Sequence, residues 1–170
     1  MTTSRSPISP LLVAFALCGC ASLPPPSAST AMPAEQPAAT TAAANLAVER
    51  QWLGSWFKDT PVVVAQREAG TVTVDVPREF CFEPGRVVVK PALAAVLGKL
   101  AESMRRLPLA ELSLVAAPAD ASGAAQLGMQ RAVRIQDYLR TRGVPAERLG
   151  KPSVSTGTAV HLRIDAAPLP

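Results

Sequence analysis

Residues 115–139 read VAAPADASGAAQLGMQRAVRIQDYL. The segment reads as the end of a strand, a loop carrying Asp120, and a helix from about Ala125 with Arg131 on its apolar side. At 100° per residue, Leu127, Ala132, Ile135, Tyr138 and Leu139 cover one arc of that helix, and Arg131 falls inside the arc. A guanidinium aimed at a core must snorkel to water or meet a carboxylate, because an unpaired buried charge is costly. Asp120 is the candidate partner. Two readings stand: a plain Asp120–Arg131 salt bridge that closes the loop, or a pocket for an anionic group, with the helix N-terminus adding partial positive charge.

Elements on either side follow from periodicity. Pro91 opens a helix at the first helical position, where a missing N–H costs nothing. Leu93, Val96, Leu97, Leu100, Met104 and Leu107 then recur at spacings of three and four, and Pro108 stops the helix. A strand from Leu109 to Ala116 follows. Upstream, Pro61–Gln66, a turn at Arg67–Gly70, and Thr71–Val76 with alternating valines form a hairpin signal. After Pro77, the segment Phe80–Gly85 reads as a loop closing over the core. Gly128, inside the second helix, costs roughly 1 kcal/mol against alanine and marks a close approach of sheet or ligand. Gly143 is expected at the C′ position and Val144–Leu149 as a turn. A last strand, about Ala159 to Asp165, puts Val160, Leu162 and Ile164 on one face, with His161 and Arg163 on the other. The order hairpin, helix, strand, helix, strand predicts an α+β sandwich: a small mixed sheet with two main helices on one face.

The chain opens with Arg5 and an apolar run from Leu11 to Leu17. That run is too short for a spanning helix, which needs roughly 20 apolar residues, and reads as a signal peptide over residues 1–19. Leu17-Cys18-Gly19-Cys20 resembles the lipobox of bacterial lipoproteins, which implies cleavage before a lipidated Cys20. Ala21 in the next position resembles an outer-membrane address. Residues 20–45, almost entirely Ala, Pro, Ser and Thr after Cys20, read as a disordered linker. Such a linker would span about 25–30 Å on average and reach about 80 Å at full extension. The domain is then expected over residues 46–170, beginning with a short helix from Leu46 to Phe57. Trp52 and Trp56 are expected to plug one edge of the core, with a partner or membrane-surface contact as the alternative.

Charge and cysteine content narrow the function classes. Seventeen basic and thirteen acidic residues are spread without a basic patch interleaved with aromatics, so no nucleic-acid partner is expected. Once Cys18 is removed and Cys20 is acylated, Cys81 is the only free thiol, and it reads as a small core residue between Phe80 and Phe82. The single histidine, His161, reads as an ordinary strand residue. No metal spacing, nucleophile elbow or paired carboxylates appear, so neither an enzyme nor a cofactor is expected.

The run Phe82-Glu83-Pro84-Gly85, followed by Lys90-Pro91 and an amphipathic helix, resembles the opening of the OmpA-like peptidoglycan-associated domain. Leu127-Gly128-Met129-Gln130-Arg131-Ala132 is similar to that family's Leu-Ser-x-x-Arg-Ala. Tyr138-Leu139 through Gly143-Val144 is similar to its Tyr-Leu-x-x-x-Gly-Val, and Val160–Ile164 stands where the family has its last strand. The resemblance covers about Val62 to Asp165 and implies an OmpA-like two-layer sandwich. It further implies that Asp120 and Arg131 bind the zwitterionic end of diaminopimelate in the peptidoglycan stem peptide. A carboxylate there takes the ammonium and a guanidinium fork takes the carboxylate. The chain departs from the pattern where Gly-His-Thr-Asp becomes Ala117-Pro118-Ala119-Asp120, where the Asp120–Arg131 stretch is shorter and lacks an Asn, and in the short loop Lys151–Thr158. The resemblance thus implies an outer-membrane lipoprotein that tethers the membrane to the cell wall. The alternative is a module that keeps the fold and has exchanged the wall for an envelope protein partner in an envelope or secretion assembly. The two differ in whether Asp120 and Arg131 line an open cleft or close on one another.

Overall fold

Alternation in two neighbouring strands sets the architecture. The structure, a computed structural model, describes residues 36–120 and 125–166. The signal-peptide segment and Cys20 lie outside the described residues. Elements run α1 (Gln36–Trp56), β1 (Val63–Glu68), β2 (Thr71–Pro77), α2 (Pro91–Arg106), β3 (Ala110–Pro118), α3 (Ala125–Thr141), β4 (Pro152–Ser155) and β5 (Ala159–Ala166). The sheet has the order β1-β2-β5-β3-β4, antiparallel except for the parallel β3–β4 pair. Val72, Val74 and Val76 pair with Ile164, Leu162 and Val160, and all six are buried. The intervening residues face the opposite way, where the Asp75 carboxylate lies 2.7 Å from His161 Nδ1 and Thr71 donates to Asp165 at 2.7 Å. One face is therefore core and the other is polar.

The predicted α+β class holds, with α2 and α3 spanning close to their expected limits. Leu93, Val96, Leu97, Leu100 and Met104 of α2 and Ala132, Ile135 and Leu139 of α3 form the buried stripes. At the end of α3, Gly143 adopts φ +86°. Its N–H donates to Arg140 O at 3.0 Å and that of Val144 donates to Leu139 O at 3.1 Å, the paired bonds of a Schellman motif. Glycine is required there because an L side chain resists that φ.

Two expectations are corrected. The helix expected from Leu46 starts at Gln36, so residues 36–45, read as the end of a disordered linker, are helical. Alanine is the strongest helix former, and a helix already anchored by packing propagates through Ala42–Ala44 with little cost. Its anchors are Leu46 and Leu53, both buried, and Glu49, which accepts hydrogen bonds from Ser103 Oγ (2.8 Å) and from Arg106 Nε and Nη2 (2.7 Å each). The Arg106 guanidinium holds the Glu49 carboxyl below the usual range, against the opposing effect of burial. Thus α1 is a third member of the helical layer. The second correction is β4, four residues read as loop. A Pro-Ser-Val-Ser edge strand carries one apolar residue and no legible alternation, and proline is tolerated there because only one side of the strand is paired.

Gly128 is where α3 approaches the sheet. A Cβ at that position would sit 2.9 Å from the Ala117 carbonyl oxygen and 2.9 Å from Val154 Cγ1, so the close approach foreseen at this glycine is to the sheet. By contrast, nothing lies within 4 Å of a Cβ at Gly98 in α2. Gly128→Ala is expected to lower stability by about 1–3 kcal/mol through overpacking. Gly98→Ala is expected to raise it by up to about 1 kcal/mol. Urea denaturation of the two variants checks both signs.

Candidate functional site

Arg131 lies in the first half of α3 and is fully buried. A charge at zero exposure is stable only when its donors are met, and here the partners come from two other segments. Nε donates to Arg86 O at 2.9 Å, Nη2 to Glu83 O at 3.1 Å, and Nη1 both to Pro118 O at 2.9 Å and to Asp120 Oδ1 at 2.7 Å. The guanidinium carbon stands 5.0 Å from the centre of the Phe82 ring. One side chain thus joins α3, the end of β3 and the loop between β2 and α2.

That loop is shaped to present the acceptors. Glu83-Pro84-Gly85-Arg86 is a tight turn with Pro84 at its second position, Gly85 at φ +69° in its third, and Arg86 N–H donating to Glu83 O at 3.0 Å, the sequence chemistry of a type II turn. The Gly85 N–H also donates to Asp120 Oδ2 at 2.6 Å. Asp120 is therefore held from both sides, with its side chain 19% exposed. The Arg131 hydrogen bond, followed by that from Gly85, holds its carboxyl below the usual carboxylate range.

Sequence reasoning paired Asp120 with Arg131, and the structure brings them together. They close on one another, the outcome that counts against a site lined by both and in favour of the protein-interaction alternative; Asp120 alone reaches a cleft. Asp120, with Arg78, Glu79, Phe82, Glu83 and Lys90, lines a cleft of about 440 Å³, whereas the Arg131 guanidinium lies behind it, turned inward. An N-terminal anion pocket on α3 was one expectation, and residues 121–124 just before that helix lie outside the described residues. Lys90 Nζ is tied to Glu83 Oε1 and to Glu79 O, both at 2.8 Å. Arg78 was missed. It follows the end of β2 and donates from Nη1 to Ala119 O at 3.3 Å, a contact across 41 positions that no local pattern signals.

Other singled-out residues lie elsewhere. Cys81 is buried, with its thiol donating to Pro77 O at 3.3 Å, and burial pushes its pKa up to about 12, which leaves it unreactive. His161 is half-buried on the outer sheet face. Trp52 packs against the core under Arg106 (3.9 Å to the ring centre), while Trp56 is 53% exposed beneath Lys99. The edge-plug expectation therefore fits Trp52, and Trp56 remains a surface residue. Among the described residues, no group of three or more His, Cys, Asp or Glu side chains is placed to hold a metal.

The sequence matches no protein-family model and no curated protein. Solved structures do match. A MotB-like protein from Desulfovibrio vulgaris superposes with a TM-score of 0.63 at 16% identity, over 77% of this chain and 95% of that one. The fold is OmpA-like. The chain also matches the cell wall anchor of the T6SS from Pseudomonas aeruginosa (TM-score 0.55, 17% identity, 68% of this chain and 95% of that). The periplasmic domain of Helicobacter pylori MotB matches at 0.53 and 16% identity, over 64% of this chain and 82% of that.

The Asp120–Arg131 pair makes the domain acid-sensitive in a defined direction. A carboxyl whose pKa is lowered on folding contributes stability in full above its unfolded pKa of about 3.9, and loses that contribution as pH falls through the folded value. The stability difference between wild type and Asp120→Asn is expected to be constant above about pH 5 and to shrink steadily below pH 4. Urea midpoints measured from pH 2 to 7 check this.

Proposed function

We propose that this chain is a bacterial outer-membrane lipoprotein whose OmpA-like periplasmic domain binds peptidoglycan noncovalently and tethers the membrane to the wall. The observation that carries the reading is the Asp120 carboxylate, fixed at the edge of a charged cleft by Arg131 and Gly85. A fixed, ionised carboxylate is a ready partner for an ammonium group, and its geometry is prepaid by folding. In this reading the ligand is the zwitterionic end of diaminopimelate in the stem peptide. Asp120 takes the ammonium, and Arg131 holds Asp120 in place while contributing positive charge behind it. The likeness to the cell wall anchor of a T6SS adds support at the level of fold. This is a binding role with no chemical step, cofactor or metal.

Anchoring rests on Leu17-Cys18-Gly19-Cys20, with Cys20 as the acylated residue and Ala21 favouring the outer membrane. Among the described residues no helix is long and apolar enough to cross a membrane. Palmitate incorporation by the wild-type chain is expected to disappear in Cys20→Ser, with the wild type fractionating to the outer membrane. Label retained by Cys20→Ser contradicts the anchor.

Binding is tested by co-sedimentation of the detergent-solubilised full chain with diaminopimelate-type peptidoglycan. Wild type is expected to pellet with the wall, and Asp120→Asn to bind at least ~10-fold more weakly, the loss expected for one charge-assisted hydrogen bond. Thermal melts at neutral pH establish that the variant remains folded. A second reading, a protein-interaction module, is favoured by the closed Asp120–Arg131 pair and by a separate groove of about 730 Å³ that includes Trp56, Phe57, Phe80, Pro91 and Tyr138. Exposed aromatics beside an apolar groove are common at protein contacts. Failure of the wild type to sediment favours this second reading.

A further inference from the structure

The cleft beside Asp120 holds two cations of different standing. Lys90 is neutralised within the cleft by the Glu83 carboxylate at 2.8 Å and further held by the Glu79 carbonyl. Arg78 has no such partner. Its backbone is fixed at the end of β2, where its N–H donates to Thr158 O (2.9 Å) and its carbonyl accepts from Cys81 N–H (2.9 Å) and Phe82 N–H (3.2 Å). Its half-buried side chain spends one donor on Ala119 O, a neutral carbonyl one residue before Asp120. Nε and Nη2 have no hydrogen-bond partner among the described residues. The guanidinium is near enough to Asp120 that its charge adds to the stronger effects of Arg131 and Gly85 on that carboxyl.

The cleft therefore presents a fixed carboxylate and, beside it, a guanidinium with an uncommitted edge. A ligand carrying only an ammonium would satisfy Asp120 and meet the positive charge of Arg78. One carrying only a carboxylate would satisfy Arg78 and be repelled by Asp120. A carbon bearing both groups satisfies both, with the planar fork suited to two parallel hydrogen bonds. We infer that Arg78 supplies the cationic half of a zwitterion site whose anionic half is Asp120, and that Arg78 selects ligands in which an ammonium and a carboxylate share one carbon. This inference rests on the reading of Asp120 as the wall-binding carboxylate and moves the carboxylate-gripping role from Arg131, whose guanidinium is fully buried with four of its five N–H donors bonded inside the fold, to Arg78.

Calorimetric titration of the full chain in detergent micelles tests it with two soluble muropeptides of equal length. One has diaminopimelate as its third residue. The other has lysine there, which keeps an ammonium at the side-chain end and lacks the carboxylate beside it. Wild type is expected to prefer the diaminopimelate form by ~10–100-fold, the range for a charge-assisted contact. Arg78→Gln retains a donor for Ala119 O and is expected to reduce that preference to within about twofold, with little change in affinity for the lysine form. Arg78→Lys is expected to restore part of the preference, because it returns the charge without the fork. If Arg78→Gln keeps the wild-type preference while Asp120→Asn abolishes binding, the role of Arg78 is overturned and the wall-binding reading stands. If wild type binds neither muropeptide, both are overturned.

Discussion

The structure depends on how one buried guanidinium is satisfied. Arg131 is planted on the core-facing side of α3, where a charge without partners would be strongly destabilising. Its hydrogen bonds reach the end of β3 and both ends of the Glu83–Arg86 turn. Because planar guanidinium donors have fixed directions, satisfying them fixes the relative positions of three chain segments. The cleft edge is a by-product of that constraint. Asp120 lines the cleft while Arg131 and the Gly85 N–H each hold one of its carboxylate oxygens.

This arrangement divides labour between charges. Arg131 acts inside the fold, Asp120 at the boundary, and Arg78 at the surface of the cleft. A buried carboxylate, Glu49, follows the same logic elsewhere in the helical layer. Glu49 takes the Arg106 fork and the Ser103 hydroxyl, which fastens α1 to α2.

Much of the fold was legible because its signals are periodic. The valines of β2, the stripe of α2 and the Gly143 terminus each follow from local rules that the tertiary structure does not override. The Asp120–Arg131 pairing was legible for a different reason: an arginine inside an apolar arc demands an acid, and one lay nearby. What escaped was non-periodic or non-local. The strand β4 has one apolar residue and depends on β3 for its pairing. Residues 36–45 look like linker because alanine is compatible with both disorder and helix, and the packing of Leu46, Glu49 and Leu53 decides between them. That Arg131 turns inward depends on acceptors offered by carbonyls of a distant turn, which no spacing in the sequence encodes.

The most direct test of the account is the hydrogen-exchange rate of the Arg131 Nε–H, followed by side-chain NMR in the folded chain. If Arg131 is the internal pin described here, its Nε–H exchanges slowly, with protection comparable to the core amides of α2, while the exposed Arg134 on the same helix exchanges rapidly. An Arg131 Nε–H exchanging as fast as that of Arg134 would mean that the guanidinium opens to water, and the division of roles among Arg131, Asp120 and Arg78 would be wrong.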